Sequence, residues 1–258
     1  MHPTDELVPI LKKLRLSGVL ASLDLRTRQG VDDNLSHSES LLRVLSDEVE
    51  RREAKQSDKR LRRANFEHAR SLEDFDFTFK PKVPKAKILD LATGNFVGRH
   101  ENVCLVGPTG VGKSHIAQAI GHRACLAGHD VLYVSAHEML LQLRAGRADA
   151  SYDRRLLRFV STDLLIIDDL GLRALAGDEP IDLYEVIRRR YERASTIITS
   201  NRAIVEWAPL FKDELLAGAA LDRLLHHAHV VEITDHSYRN PPRPVAGGRG
   251  ARAASADS

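Results

Sequence analysis

The sequence predicts an α/β fold: a three-layer domain around a parallel sheet, with a small helical unit ahead of it. Three observations carry this expectation. From Asn102 onward, short and wholly apolar runs alternate with helical stretches, the pattern of strands buried on both faces. One of those runs leads directly into a glycine-rich turn followed by a helix. Before residue 70 the apolar residues recur at helical spacing.

The elements follow in order. Leu7 to Leu25 has apolar residues at 7, 10, 11, 14, 16, 19, 20 and 23, close to one helical stripe, until Gly30 and Asp32–Asn34 break it. Ser36 and Glu39 fit a capping box, and Leu41, Leu42, Val44, Leu45 and Val49 give the next helix its apolar stripe, which the following residues extend as far as Ala69. These residues, 1–70, form the helical N-terminal unit. Residues 71–90 alternate aromatics with acids and then bring Pro81 and Pro84, the composition of a linker or of an arm packed on the next domain. The α/β domain spans 91–240. Its expected strands are Val103–Val106, Val131–Val134, Leu164–Ile167, Thr196–Thr199 and His229–Ile233. Helices are expected up to Leu126, with Gly128 ending that one, and over 136–145, 151–160, 180–193 and 203–226. The tail 241–258 is rich in Pro, Gly, Ala and Arg and is expected to be disordered.

Composition excludes several classes. At 43% hydrophobic and 29% charged residues, the 258-residue chain can bury a real core and is not broadly disordered. No apolar run reaches the roughly 18 residues of a membrane span, and the N-terminus lacks a signal peptide's apolar segment, so a cytoplasmic protein is expected. Two cysteines, Cys104 and Cys125, exclude a disulfide framework and a four-cysteine zinc site, and both lie in apolar segments. The net charge of +2 hides a pattern: residues 1–90 carry +2, 91–240 carry −2 and the tail +2. The sharpest excess is Arg51–Arg63, with seven bases and two acids, which reads either as a solvated helix face or as a patch for nucleic-acid phosphates.

The chemistry concentrates in three stretches. Gly107-Pro108-Thr109-Gly110-Val111-Gly112-Lys113-Ser114 matches GxxxxGK[ST]. Its glycines let successive backbone N–H groups face phosphates, Lys113 reaches the β- and γ-phosphates, the Ser114 hydroxyl can ligate Mg²⁺, and the helix that carries His115 adds its dipole. ATP with Mg²⁺ is the expected cofactor. Leu164-Leu165-Ile166-Ile167-Asp168-Asp169 places two acids at the end of a buried strand, 55 residues after Lys113. Asp168 would hold the metal and Asp169 would orient or polarise the attacking water. Thr196-Ile197-Ile198-Thr199-Ser200-Asn201 ends another strand in polar residues. Asn201 reaches the γ-phosphate if this strand lies between the other two, and is otherwise a turn or cap residue.

Other clusters carry less. His226, His227 and His229 lack the regular spacing of a metal site. Arg188, Arg189 and Arg190 read as a solvated face or intersubunit ion pairs, with DNA contact as the alternative, and Trp207 reads as a core anchor.

Together these residues resemble the IstB-like ATP-binding proteins of bacterial insertion sequences, AAA+ phosphate-loop ATPases that assist a partner transposase and are related to the DnaC-type helicase loaders. The resemblance rests on NVCLVGPTGVGKSHIAQAIG, LLIIDDLG, TIITSN, GAALDRLLHHAHVVEI and SYR, and runs from about Leu7 to Arg239. It implies that Asn201 is the sensor that holds the catalytic water. It further implies that Arg223 is an arginine finger acting in trans, so that ATP sits between subunits of a homo-oligomer. Read by itself, Arg223 is a helix-face cation. Arg239 is a weaker nucleotide contact. The resemblance implies duplex DNA and a transposase as partners. The alternatives are a helicase loader, or a nucleotide-gated DNA-binding assembly protein without productive hydrolysis. No helical lid follows the last expected strand, which puts a separate sensor-two arginine in doubt, and Asp169 replaces the Glu common in AAA+ enzymes, which fits slow or timed hydrolysis.

Overall fold

The structure is a computed structural model that describes residues 3–68, 70–77 and 83–234. Arg239, the tail 241–258 and residues 78–82 lie outside them.

Three helices come first: α1 (Pro3–Lys13), α2 (Ser17–Asp32) and α3 (His37–Arg63). The Leu7–Leu25 stripe is therefore not one helix. Arg15 turns left-handed at φ 58° and the chain restarts at Ser17, while Gly30 lies inside α2. The reason is tertiary. Leu16 offers no side-chain cap to α2. Glu48 of α3 supplies it instead, its Oε2 accepting from the N–H groups of Gly18 at 2.5 Å and Val19 at 3.3 Å. Burial opposes the charge of Glu48, yet Arg52 and those two N–H groups hold its carboxyl below the usual range. The expected capping box at Ser36 and Glu39 is present and starts α3. That helix ends at Arg63 rather than Ala69, because Ala64 is buried against the next domain and its carbonyl accepts from the Tyr133 N–H at 2.7 Å.

The remaining elements are α4 (Lys85–Leu91), α5 (Asn95–Gly98), β1 (Asn102–Val106), α6 (Lys113–Leu126), β2 (Val131–Ser135), α7 (Ala136–Ala148), α8 (Tyr152–Val160), β3 (Leu164–Leu170), α9 (Glu179–Arg190), β4 (Ser195–Ser200), α10 (Glu214–Leu225) and β5 (Ala228–Glu232). The sheet is wholly parallel, in the order β2-β3-β4-β1-β5. Strand residues alternate between two cores. Val103, Leu105, Tyr133, Ile166 and Ile197 face the layer made by α6, α4, α5 and the end of α3. Cys104, Leu132, Leu165, Ile167 and Ile198 face α7, α8, α9 and α10. Both faces are covered at β1, β2 and β3, which is why these strands carry near-continuous apolar runs, whereas edge strand β5 is partly exposed.

Several expectations change. The helices expected over 203–226 are two 3₁₀ turns, Ile204–Glu206 and Ala208–Phe211, and then α10, which starts where the Asp213 side chain accepts from the Leu216 N–H at 2.8 Å. Residues 71–77 run along the α/β domain, with Leu72 and Phe75 buried in its core beside Val83. Arg190 is neither a solvated cation nor a DNA contact. It is 1% exposed and donates to the carbonyls of Phe159, Thr162 and Ser195 and to Thr196 Oγ1, tying the end of α8 to β4. Arg188 and Arg189 do lie on the surface, paired with Glu185. Trp207 is fully buried. Both cysteines are buried free thiols, and burial pushes each up to about 12. Among the described residues no helix is long and apolar enough to cross a membrane.

Candidate functional site

The phosphate-loop residues sit where the sheet topology sends them, between the C-terminal end of β1 and the start of α6. Two glycines have no substitute there. Gly107 passes so close to Ile233 that a Cβ would lie 2.1 Å from its carbonyl oxygen. Gly112 is left-handed at φ +96°, with the Phe75 ring against the place a Cβ would take. Lys113 is 5% exposed, and its ammonium donates to the carbonyls of Gly107 and Pro108 at 2.8 Å each, which curls the loop around it. Val111 is buried beneath the loop.

A cavity of about 660 Å³ opens in front of this loop. Thr109, Gly110, Gly112, Lys113, Ser114 and His115 line it, and Asp168 and Asp169 face them. The two acids share the cavity through an irregularity in β3. Strict alternation would send neighbouring residues to opposite faces of the sheet. Instead the register between β3 and β4 shifts after Ile167, and Asp169 is left-handed at φ 58°. This bulge keeps Asp168 on the α6 face, in line with Leu164 and Ile166, and re-aims Asp169 toward the same opening. Asp168 is 5% exposed, whereas Asp169 is exposed. A buried carboxylate and a serine hydroxyl on one cavity are oxygen donors of the kind Mg²⁺ takes, so the residues present fit that ion.

Asn201 follows β4, and β4 lies between β1 and β3 as its expected role requires. The residue is exposed at that sheet edge and does not line the cavity. Arg223 is half-buried on α10, donates to the Ala219 carbonyl at 2.7 Å and lies 5.7 Å from the Tyr184 ring centre. It does not line its own chain's cavity. Glu192, His226 and His227 bring ligand atoms within 4.8 Å of one another on the surface beyond α10, away from the cavity.

Sequence reading missed the segment 67–76. Glu67, His68, Arg70, Asp74 and Phe75 all line the cavity. The segment is fastened to α6: the His68 N–H donates to buried Gln118 Oε1 at 3.2 Å, the Ser71 carbonyl lies 2.8 Å from His115 Nε2, and the Phe75 and His115 rings meet edge-on at 5.3 Å. Tyr133 and Thr199 were also missed, although both place hydroxyls on Asp168. The available signal was a polar group on an otherwise apolar strand, which must find a partner.

This geometry agrees with what the chain resembles. Residues 9–245 match the family of IstB-like ATP-binding proteins. An insertion-sequence ATP-binding protein of Mycobacterium tuberculosis is 41% identical over 238 residues, covering 91% of this chain and 94% of that protein. One from insertion sequence IS21 of Pseudomonas aeruginosa is 36% identical over 247 residues, covering 96% and 92%. Among solved structures, the DnaC helicase loader superposes with a TM-score of 0.51 at 21% identity, over 58% of this chain and 89% of that one. DnaA from Aquifex aeolicus bound to AMPPCP gives 0.54 at 20%, over 68% and 53%. These two likenesses establish the phosphate-loop AAA+ fold. On the strength of the match along nearly its whole length, the chain belongs to the IstB-like ATP-binding protein family of insertion sequences.

Proposed function

We propose that this protein is an ATP-dependent, DNA-binding AAA+ ATPase that oligomerises on duplex DNA and assists a partner transposase. The observation that carries the reading is the convergence of Lys113, Ser114, Asp168 and Asp169 on one cavity, with Asn201 at the end of the strand between. In this reading the loop N–H groups and Lys113 bind the phosphates. Ser114 and Asp168 hold Mg²⁺, which stabilises the developing phosphate charge. Asp169 and Asn201 orient the attacking water. Arg223 completes the site of a neighbouring subunit, which suits its position away from its own cavity.

The DNA surface we assign is the second half of α3. Arg51, Lys55, Lys59 and Arg62 are exposed and follow near-four-residue spacing, so they share one stripe of the helix. None forms a salt bridge among the described residues. Four phosphates neutralised by this stripe give a slope of about −3.6 for log K against log salt. The relatives come from insertion sequences, which supports a transposase as the partner.

The test is phosphate release with and without duplex DNA, for the wild type, Asp169→Asn and Arg223→Ala. Both substitutions should abolish release while leaving nucleotide binding intact, and mixing them should restore part of it, because each supplies what the other lacks. Unchanged release in both variants overturns the assigned roles. DNA affinity that is flat between low and moderate salt overturns the phosphate stripe.

A further inference from the structure

The acid at the floor of the cavity is gripped from both sides. Asp168 lies on β3, and each of its oxygens accepts from a hydroxyl on a flanking strand. Tyr133 of β2 donates to Oδ2 at 2.6 Å, and Thr199 of β4 donates to Oδ1. The register explains the reach. Ser135 is the residue paired with Asp168, so Tyr133 stands two positions earlier on the same face, a separation of about 6.6 Å that the ring spans. Thr199 touches the second acid as well, since its Oγ1 accepts from the Asp169 N–H at 2.9 Å. The tyrosine ring is itself fixed. It is 2% exposed, its N–H is held by the Ala64 carbonyl, and the Phe66 ring lies 6.4 Å away. Neither hydroxyl residue lines the cavity, so neither is placed to touch the nucleotide.

We propose that Tyr133 and Thr199 are positioning residues that lock the Asp168 carboxylate in the one orientation that presents its remaining lone pairs to the divalent cation. The proposal rests on the reading of Asp168 as a magnesium ligand. A carboxylate oxygen has two lone-pair directions. Each hydroxyl occupies one, which leaves one direction on each oxygen for a cation. Without the hydroxyls the carboxylate swings, and each metal-binding event must order it again.

The experiment measures the affinity of a fluorescent ATP analogue in EDTA and across a Mg²⁺ titration, on the full chain. The proteins are the wild type, Tyr133→Phe, Thr199→Val, Thr199→Ser and Asp168→Asn. Tyr133→Phe and Thr199→Val should raise the Mg²⁺ half-saturation about 10-fold, the usual effect of losing an outer-shell partner. Their affinity in EDTA should stay at the wild-type value, which separates a metal effect from a damaged fold. Thr199→Ser keeps the hydroxyl and should titrate like the wild type. Wild-type titration in both Tyr133→Phe and Thr199→Val, or equal impairment in Thr199→Ser and Thr199→Val, overturns the proposal. A wild type indifferent to Mg²⁺, or an Asp168→Asn that keeps full Mg²⁺ dependence, overturns the magnesium reading beneath it.

Discussion

Replacing Gly112 by Ala tests how the arm 71–77 and the phosphate loop constrain each other. At φ +96° the added Cβ would lie 2.6 Å from Phe75 Cε2 and 3.2 Å from Cζ. A left-handed L residue costs about 1–2 kcal/mol. Overpacking a filled site adds about 1–3 kcal/mol. The ring cannot simply swing aside, because Phe75 is 6% exposed and packs edge-on against Phe77 at 4.8 Å and His115 at 5.3 Å. The single substitution should therefore cost about 2–5 kcal/mol. Phe75→Ala alone should cost about 3–5 kcal/mol through the cavity it leaves. In that background the clash is gone, and Gly112→Ala should cost only the left-handed part, about 1–2 kcal/mol. The two substitutions should thus be less than additive, by about 1–3 kcal/mol. Urea denaturation of the four proteins, followed by the fluorescence of buried Trp207, gives the cycle. If the double variant loses the sum of the singles to within about 0.5 kcal/mol, Phe75 does not bear on the loop and the reasoning fails.

Three further outcomes are expected. Lys113→Met should weaken ATP binding about 10- to 100-fold, the worth of a charged hydrogen bond at about 1.5–3 kcal/mol, as read by nucleotide titration. Arg190→Met should destabilise by about 3 kcal/mol or more, because several buried acceptors lose their donor and each costs about 1–3 kcal/mol; a melting temperature unchanged from wild type would contradict this. Glu101 accepts from Arg99 and His229, which lower its carboxyl from the ordinary 4.5 to about 2. A depressed folded-state value means that its stabilisation is fully present above pH 4.5 and is lost as the pH falls toward 2, so Glu101→Gln should flatten the melting temperature over that interval.

The legible parts were those set by local pattern. Strands were readable because both faces of the sheet are covered, so Val103–Val106 and Leu164–Ile167 could contain no polar residue. The capping box at Ser36 and the glycine stop at Gly128 depend on neighbours within a few residues. Where a distant partner decides, the pattern misled. The Leu7–Leu25 stripe breaks because Glu48 caps a second helix, and Arg190 looks like a surface cation until the carbonyls of Phe159 and Thr162 are found around it.

The site divides in the same way. The phosphate loop is one continuous segment whose glycines permit its backbone conformation, so residues 107–114 were readable as a loop, although Ile233 and Phe75 pack against Gly107 and Gly112. Whether Asp168 and Asp169 could share a cavity was not in their sequence, because adjacent strand residues face opposite ways. A bulge in β3, fixed by its pairing with β4, decided that. Strand order likewise placed β4, which Asn201 follows, between β1 and β3, and brought Tyr133 and Thr199 onto one carboxylate. Sequence determined which groups exist and their local backbone. Tertiary structure decided which of them meet, because strand order and register are set by the packing of the whole sheet.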